Sequence, residues 1–428
     1  MTQPVSTECV RDLIEPTRVH GSLYTSEEIF QIELEQIWYR GWVYVGHESE
    51  VPDAGMFVSK SIGPQPLIMT RANDGQVHVL HNRCSHRGNL VCMADSGSTN
   101  SFRCPFHGWN FALDGSLLGY PHPEGYGGRH QLDDLPLPHV ARTEAYEGFV
   151  FASLADDGPS LIEHLGDAAD GISRLVSLSP ERRLDLRAGW LQHRAHANWK
   201  LIVENETDGY HPQFVHGSIF SVGDSRIGDL YGEHSAALTR DFGNGHSEND
   251  LRPEFRKNDA PMWWFGSSEE RVPEYAAAMR RAYGDDEARR IMVDGSPHVM
   301  VFPNLFIAEI TLFVLQPLSV GVTVQHSTAL QLAGAGELNR KMLHQCIGSA
   351  GPAGMLLADD TEMYERNQEG LGSREPAWID TRRGLHRESQ DSDGHPIGSA
   401  NDEIGIRGFW RHYSSLVGDV ELAASTRP

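Results

Sequence analysis

The chain has 428 residues, enough for two or three domains with substantial cores, and its composition is ordinary for a globular protein. Its formal net charge of −23 argues against nucleic acids and anionic membranes as partners, because both would repel it. The five cysteines are an odd number at scattered positions, so they do not predict a framework of disulfides.

Signals for export or membrane insertion are not evident in the sequence. The first residues contain no basic segment followed by an apolar stretch, so we expect no signal peptide and a cytoplasmic location. The longest apolar run, residues 298–318, is interrupted by Pro303, Asn304 and Glu309. We interpret this run as adjoining strands rather than a membrane span, and expect no membrane partner.

The first predicted element is a helix over about residues 26–40. Residues 25–28 (TSEE) have the form of a capping box, and apolar residues follow at helical spacing. Residues 1–40 are therefore predicted to be an N-terminal helical segment. From 41 to 158, short β-rich runs alternate with Gly, Asp, Asn and Pro, which predicts an all-β domain.

Two loops of the predicted β domain contain paired Cys and His residues. Their pattern is C-x-H, a gap of 17 residues, then C-x-x-H, formed by Cys84, His86, Cys104 and His107. Two thiolates can hold one iron of a [2Fe-2S] cluster and two imidazoles the other, which raises the reduction potential of the cluster. Structural zinc accepts the same ligands, but zinc fingers usually pair Cys with Cys and His with His. The pattern therefore indicates a [2Fe-2S] cluster of the Rieske type.

From 159 to 428 the pattern changes to helices mixed with strands. Helices are predicted at 161–178, 196–210, 336–350 and 355–370, and β-rich segments near 187–195, 298–316 and 320–333. This predicts an α+β domain whose antiparallel sheet is flanked by helices. The polar stretch 217–295 is hard to assign, and its length suggests a flexible segment that covers a pocket.

A second group of possible metal ligands begins with Asp208, His211 and His216, in the spacing D-x-x-H-x4-H. On a continuous helix Glu204, Asp208 and His211 would share one face. Pro212 disfavours helical geometry at the residue before it and predicts a bend there. His216 is five residues from His211, so the motif is not the HExxH of zinc proteases.

Two histidines need a carboxylate to complete the facial triad of a non-heme iron(II) oxygenase. In the predicted helix near 355–370, helical phase places Asp360 on the apolar face and Asp359 on the charged face. A buried carboxylate without a partner is costly, and a metal is a suitable partner. Asp360 could also cap the helix or line a polar pocket, and helical phase does not decide between these roles.

Together these motifs resemble those of the Rieske non-heme iron aromatic-ring-hydroxylating dioxygenases, in their large (alpha) subunit. The resemblance covers about residues 20–415 and rests on CSHRG, CPFHGW, NWK...EN..D.YH....H and GPAG...DD. It implies that the residues of the paired Cys-His loops bind the [2Fe-2S] cluster, namely Cys84, His86, Cys104 and His107. It also implies that His211, His216 and Asp360 bind a mononuclear Fe(II). It also implies that Asp208 joins the two metal centres through hydrogen bonds and that Asn205 lies on the pocket side.

The resemblance also implies partners and a reaction. Electrons from NAD(P)H would arrive through a reductase, with or without a ferredoxin, and the product would be a cis-dihydrodiol. No dinucleotide-binding fingerprint or plant-type ferredoxin motif is evident in the sequence, so the reductase must be a separate protein. We expect a homotrimer or an α3β3 assembly with a small beta subunit, in which the cluster of one subunit serves the iron of its neighbour.

The substrate and the reaction outcome have alternatives. The motifs look closer to the oxygenases of benzoate, terephthalate and cumate, which favours an aromatic carboxylate. Such a substrate needs a cation in the pocket, and the candidates are Arg252, Arg340, Arg382 and Arg383. A monooxygenase or demethylase could use the same scaffold. A simple Rieske electron carrier would leave the second group of ligands without a role.

Overall fold

The computed structural model describes residues 9–127, 135–222, 230–349, 351 and 354–422. The chain forms two compact units, Trp38–Leu161 and a second unit that combines Met1–Ile37 with Ile162–Pro428. The first residues of the chain therefore belong to the same unit as its C-terminal half. None of the helices in the described ranges is long and apolar enough to cross a bilayer.

The N-terminal segment contains strands as well as the predicted helix. Strands β1 (Ile14–Glu15) and β2 (Arg18–His20) precede helices Ser22–Thr25 and Glu27–Glu33 and a π-helical turn at Leu34–Trp38. The predicted capping box is wrong in detail, because Thr25 ends the preceding short helix. The Ser26 side chain instead accepts a hydrogen bond from the Ile29 amide, 3.4 Å away, and caps the longer helix.

The unit Trp38–Leu161 is all-β, as predicted. Its strands are β3 (Val43–His47), β4 (Met56–Ile62), β5 (Gln65–Arg71), β6 (Val77–His81), β7 (Ser96–Ser98), β8 (Phe102–Arg103), β9 (Asn110–Phe111), β10 (Leu117–Gly119), β11 (Arg142–Tyr146) and β12 (Phe149–Ser153). They form antiparallel sheets in the orders β6-β5-β4-β7, β11-β12-β3 and β10-β9-β8. Ile68, Leu80 and Phe111 are buried in one cluster with both cysteines of the paired loops.

The second unit is built on a nine-stranded antiparallel sheet, which confirms the predicted α+β class. The strand order is β13-β19-β18-β17-β16-β15-β14-β22-β21. These strands are β13 (Leu191–Ala195), β14 (Leu238–Gly243), β15 (His246–Asp250), β16 (His298–Val301), β17 (Leu305–Ala308), β18 (Thr311–Ser319), β19 (Val322–Ala329), β21 (Ser389–Gln390) and β22 (Pro396–Ser399). A short strand β20 (Trp378–Asp380) pairs with β2.

Helices pack around this sheet. The described α-helices after residue 160 are Leu161–Leu165, Ala168–Ser177, Trp199–Thr207, Pro212–Val215, Gly217–Val222, Arg252–Asn258, Pro273–Tyr283, Asp285–Asp294, Gly336–Ser349, Leu357–Gly370 and Ile404–Val417. The helix Trp199–Thr207 leads directly to the second ligand motif.

The described part of the stretch 217–295 consists mostly of helices and strands rather than of a long loop. It supplies two central strands of the sheet, β14 and β15, and several helices. Both strands carry charged residues that pair with each other, so they lack the apolar alternation that indicates a strand. Arg240 on β14 lies 2.9 Å from Glu248 and 3.4 Å from Asp250 on β15.

A buried ion pair attaches the N-terminal segment to the helix Trp199–Thr207. Lys200 and Glu33 are fully buried, and Lys200 Nζ lies 2.5 Å from Glu33 Oε1. Glu33 also accepts hydrogen bonds from Trp199 Nε1 at 2.7 Å and from the Tyr413 hydroxyl at 2.6 Å. The carboxylate therefore joins three parts of the chain that are far apart in sequence.

Candidate metal centres

The two Cys-His loops of the β unit have the same backbone geometry. In each loop the cysteine amide donates to the carbonyl five residues on, and a glycine amide donates back to the cysteine carbonyl, with distances from 2.7 to 3.0 Å. These glycines, Gly88 and Gly108, have φ angles of 72° and 73°, which favour glycine. The matched turns hold Cys84 and Cys104 in the interior, each 2% exposed.

The histidines of the loops lie side by side. The ring centroids of His86 and His107 are 4.6 Å apart, and His86 stacks on the buried Trp109 at 4.9 Å. The buried Nδ1 of His86 has no hydrogen-bond partner among the described residues. Burial lowers the pKa of His86, with His107 adding to the effect, which favours the neutral imidazole that binds metals. An unpaired imidazole nitrogen near buried thiols fits the donor set of a Rieske cluster.

Replacing His86 with Cys should keep a [2Fe-2S] cluster but lower its reduction potential, on the order of 0.2 V, because a charged thiolate replaces a neutral ligand. The measurement is a redox titration followed by visible and EPR spectra. His78→Cys, in the same unit but outside the motif, is the matched control. An unchanged potential in the His86 variant would show that this histidine is not a ligand.

The second group of residues converges on one point in the other unit. Ligand atoms of His211, His216 and Asp360 all lie within 4.8 Å of one another. The Nε2 atoms of the two histidines lie 3.4 and 3.2 Å from Asp360 Oδ1. That buried oxygen has no hydrogen bond of good geometry within the described ranges. Three ligand atoms that surround a common point fit a two-histidine, one-carboxylate iron site.

The backbone around Asp208 differs from the predicted helix. The helix ends at Thr207, and Asp208 is extended with φ −90° and ψ 113°. The predicted shared helical face is therefore wrong, and the chain turns at Gly209, where a Cβ atom would lie 2.2 Å from the Ala400 carbonyl oxygen. The bend is not at His211, which has helical angles and precedes a short helix whose first residue is Pro212.

Each histidine of the second group has a further carboxylate near its other nitrogen. Asp208 Oδ2 lies 3.5 Å from His211 Nδ1, and Asp359 Oδ2 lies 3.8 Å from His216 Nδ1. Carboxylates in such positions orient metal-binding imidazoles. Burial alone would lower the pKa of His211, but Asp208 and Asp360 raise it to about 10. A proton on His211 thus offsets the negative charge of the two carboxylates at the place where a metal cation would bind.

The helix Leu357–Gly370 presents its two adjacent aspartates differently. The side chain of Asp360 is 11% exposed, whereas that of Asp359 is 39% exposed. Burial raises the pKa of Asp360, but His211 and His216 outweigh burial and lower it to about 2. Asp360 is therefore ionised and directed toward both histidines, as a metal ligand must be.

A cavity of about 360 Å³ reaches the second group of ligands. Much of its wall is apolar and includes Leu251, Phe255, Trp264, Phe265, Ile310 and Phe313. Asn205 also lines it. A polar part of the wall contains residues that the sequence did not indicate: Glu206, Asn249, His298 and Glu309. Sequence patterns miss these residues because they come from separate strands and a helix end, although Glu206 lies within the ENETDG motif.

The arginines suggested as receptors for a substrate carboxylate lie elsewhere. Arg252 pairs with Asp250 at 2.7 Å, Arg382 with Asp380 at 2.6 Å, and the Arg383 guanidinium lies 3.5 Å from the centroid of the Tyr210 ring. Arg340 is not among the lining residues either. Of the cavity residues that the structure describes, none is an arginine or a lysine.

Comparison with known proteins identifies two domains in the chain. Residues 41–138 match the Rieske [2Fe-2S] domain, and residues 182–419 match the catalytic domain of the ring-hydroxylating alpha subunit. The toluate 1,2-dioxygenase alpha subunit of Pseudomonas putida is 30% identical over 386 residues, 87% of this chain and 84% of that protein. The N,N-dimethyl phenylurea N-demethylase alpha subunit of Sphingobium sp. (strain YBL2) is 33% identical over 289 residues, 66% and 61% of the two chains.

A solved structure has a similar fold along almost the whole length of this chain. Naphthalene 1,2-dioxygenase with indole in its active site superimposes with a TM-score of 0.80 at 26% identity, over 94% of this chain and 93% of that one. The order of the two matched domains is the order in which the cluster loops and the second ligand group occur here. The chain therefore belongs to the alpha subunits of the Rieske non-heme iron ring-hydroxylating dioxygenases, oxygenases that contain a [2Fe-2S] cluster and a mononuclear iron.

Proposed function

We propose that this oxygenase adds both atoms of dioxygen to an uncharged aromatic ring to give a cis-dihydrodiol, with two electrons and two protons consumed per ring. The single observation that carries the proposal is the mostly apolar cavity that ends at His211, His216 and Asp360. In this proposal these three residues hold the mononuclear iron, and Cys84, His86, Cys104 and His107 hold the cluster. The cluster supplies electrons singly, and the iron is the site of dioxygen activation.

The electrons come from NAD(P)H through a separate reductase, with or without a ferredoxin. The proposed assembly is a homotrimer, or an α3β3 complex with a small beta subunit. Exposure of His107 supports transfer between subunits, because a cluster ligand at the surface of its unit is accessible to another chain. The side chain of Asp208 is also partly exposed, at 22%.

Asp208 is proposed to be the link between the centres. One carboxylate oxygen accepts from the Tyr210 amide at 2.5 Å, and the other lies 3.5 Å from His211 Nδ1. The chain itself thus fixes the carboxylate beside a proposed iron ligand. His107 of the partner subunit could donate to the same carboxylate and complete a short polar path from the cluster to the iron site.

Asp208→Ala should leave both metals bound but slow cluster oxidation by about a hundredfold when substrate and dioxygen are added to the reduced protein. Stopped-flow absorbance of the cluster measures this rate, and iron analysis shows that the sites remain filled. Asp380→Ala, an exposed aspartate paired with Arg382, is the matched control. Fast oxidation in the Asp208 variant would make Asp208 an ordinary structural acid.

The cavity supports an uncharged substrate over the aromatic carboxylate that the sequence favoured. The name of the toluate relative supports an acid, but apart from the proposed iron ligands the described lining offers a cation only at His298, which Glu309 already pairs. His298 Nδ1 lies 3.1 Å from Glu309 Oε1, and Nε2 lies 3.0 Å from the Glu206 carbonyl oxygen. Both partners only accept, so both nitrogens must carry protons. Although burial lowers the pKa of His298, Glu309 raises it to about 9.

Turnover of matched substrates by the purified oxygenase with a surrogate reductase tests this function. We expect cis-dihydrodiols from toluene or naphthalene, and kcat/KM at least about tenfold lower for toluate and benzoate, since the acids would leave a buried carboxylate without a cation. Preference for the acids would overturn the uncharged-substrate proposal. Monohydroxylated products, such as phenols or benzyl alcohol, in place of diols would favour the monooxygenase alternative.

A further inference from the structure

The polar wall of the cavity is rich in hydrogen-bond acceptors, and sheet register brings its residues together. Glu248 on β15 pairs with Val299 on β16, which places the next residue, Asn249, beside His298. His298 pairs with Ala308 on β17, and Glu309 follows. Side chains from three successive strands therefore meet at the cavity wall that contacts the end of the helix Trp199–Thr207.

Asn249 has one side-chain acceptor without a hydrogen bond among the described residues. The residue is only 4% exposed, and the side-chain Nδ2 donates a hydrogen bond to the Thr207 carbonyl at 3.3 Å. Because a carbonyl can only accept, this contact fixes the orientation of the amide. Asn249 Oδ1 then has no hydrogen-bond partner among the described residues, although it is buried in a cavity wall. A buried acceptor of this kind requires a donor, and a bound ligand can supply one.

Two carboxylates add to the acceptors at this wall. Glu206 Oε1 accepts from Gln325 Nε2 at 3.3 Å, and Gln325 Oε1 accepts from the Tyr364 hydroxyl at 3.3 Å. Glu309, with 30% of its side chain exposed, is the partner of His298. A ligand with an N–H group would find several acceptors here, whereas a carboxylate would find only the His298 cation, which Glu309 already pairs.

The cavity also offers one unused donor. Trp264 lines the cavity, and its buried Nε1 has no hydrogen-bond partner in the described part of the chain. An indole nitrogen can only donate, so its complement is a carbonyl oxygen. One unused acceptor and one unused donor in the lining of the same cavity match the N–H and C=O of an amide.

We propose that the substrate class is an uncharged aromatic with an amide-type substituent, an anilide or arylurea, whose N–H binds Asn249 and whose carbonyl accepts from Trp264. This inference rests on the proposed function and deepens it. The remaining apolar wall, including Phe255, Phe265 and Phe313, surrounds the ring. The glutamates strengthen the preference for an N–H group and exclude acids of similar shape.

Three probes of nearly equal shape test the proposal. Acetanilide has the N–H and the carbonyl, phenylacetone replaces the N–H with CH2, and phenylacetate replaces the methyl ketone with a carboxylate. Binding to the iron-loaded holoenzyme is measured without dioxygen by calorimetry. We expect acetanilide to bind about tenfold more tightly than phenylacetone, the effect of one hydrogen bond, and phenylacetate to bind most weakly.

Two variants separate the two contacts. Asn249→Leu should reduce affinity for acetanilide about tenfold and leave phenylacetone unchanged, whereas Trp264→Phe should weaken both probes equally, because both have the carbonyl. Trp263→Phe, beside the cavity residue, is the matched control, and thermal unfolding and iron content confirm that each variant is folded.

Equal affinity of the wild-type protein for acetanilide and phenylacetone would overturn the proposal, and so would absence of acetanilide binding. Asn249→Leu that weakens both probes alike would also overturn it, since the loss would then come from the displaced helix end. These results are distinct from failure of the proposed function, which is judged by formation of a cis-dihydrodiol from any aromatic ring.

Discussion

Replacing Asp360 with Ala is expected to remove the mononuclear iron and to reduce oxygenase activity roughly a thousandfold or more, while the visible spectrum of the Rieske cluster stays unchanged. Asp360 Oδ1 is the atom on which both histidines converge, at 3.4 and 3.2 Å. Its loss leaves two imidazoles, which are too few to hold Fe(II) in a facial site. Iron analysis together with the cluster absorbance measures the two centres separately.

Asp359→Ala is the matched control, because Asp359 is the adjacent residue on the same helix. Its side chain is 39% exposed, and its Oδ2 lies 3.8 Å from His216 Nδ1, so it is placed to orient a ligand rather than to be one. We expect this variant to keep its iron, with affinity reduced about tenfold at most. Equal loss of iron in both variants would contradict the assignment, and loss only in Asp359→Ala would reverse it.

Lys200→Met is expected to destabilise the catalytic unit by about 3–5 kcal/mol, because it leaves the fully buried Glu33 carboxylate without its cation. Trp199 and Tyr413 would still donate to Glu33, but neutral donors do not balance a buried charge. Urea unfolding followed by tryptophan fluorescence measures the change, with the cluster absorbance reporting the β unit independently.

The double variant Glu33→Leu, Lys200→Met is the control for this second experiment. Removing both charges removes the unpaired carboxylate, so most of the lost stability should return. If the free energy of unfolding of Lys200→Met fell by less than about 1 kcal/mol, the charge of Glu33 would be compensated without Lys200. A double variant no more stable than the single one would mean that packing, rather than charge, causes the loss.

Features that depend on local chemistry could be predicted from the sequence. The Cys-His loops are short, and their glycines at positions 88 and 108 have the positive φ that tight turns need. Helical phase likewise indicated that Asp360, rather than Asp359, faces inward, and the structure buries Asp360 more deeply. The metal-binding roles of these residues stay predictions until the iron measurements are made.

Features that depend on distant contacts could not be predicted. The helix before Asp208 ends at Thr207, and Gly209, two residues further on, packs against the carbonyl of Ala400, a residue far away in sequence. The strands β14 and β15 lacked an apolar pattern because their charges pair across the sheet, as Arg240 does with Glu248. The polar cavity wall required three strands in register, which no single segment of the sequence indicates.

The position of the β unit within the chain has a consequence for biosynthesis. Because Trp38–Leu161 lies between the two parts of the other unit, it is complete before residues 162–428 have been made. Glu33, in contrast, can contact Lys200 only after this unit has been made, and Tyr413 later still. The nascent protein is therefore expected to fold its iron-sulfur unit while the iron-binding unit is incomplete, before Glu33 can contact Tyr413 in the helix Ile404–Val417.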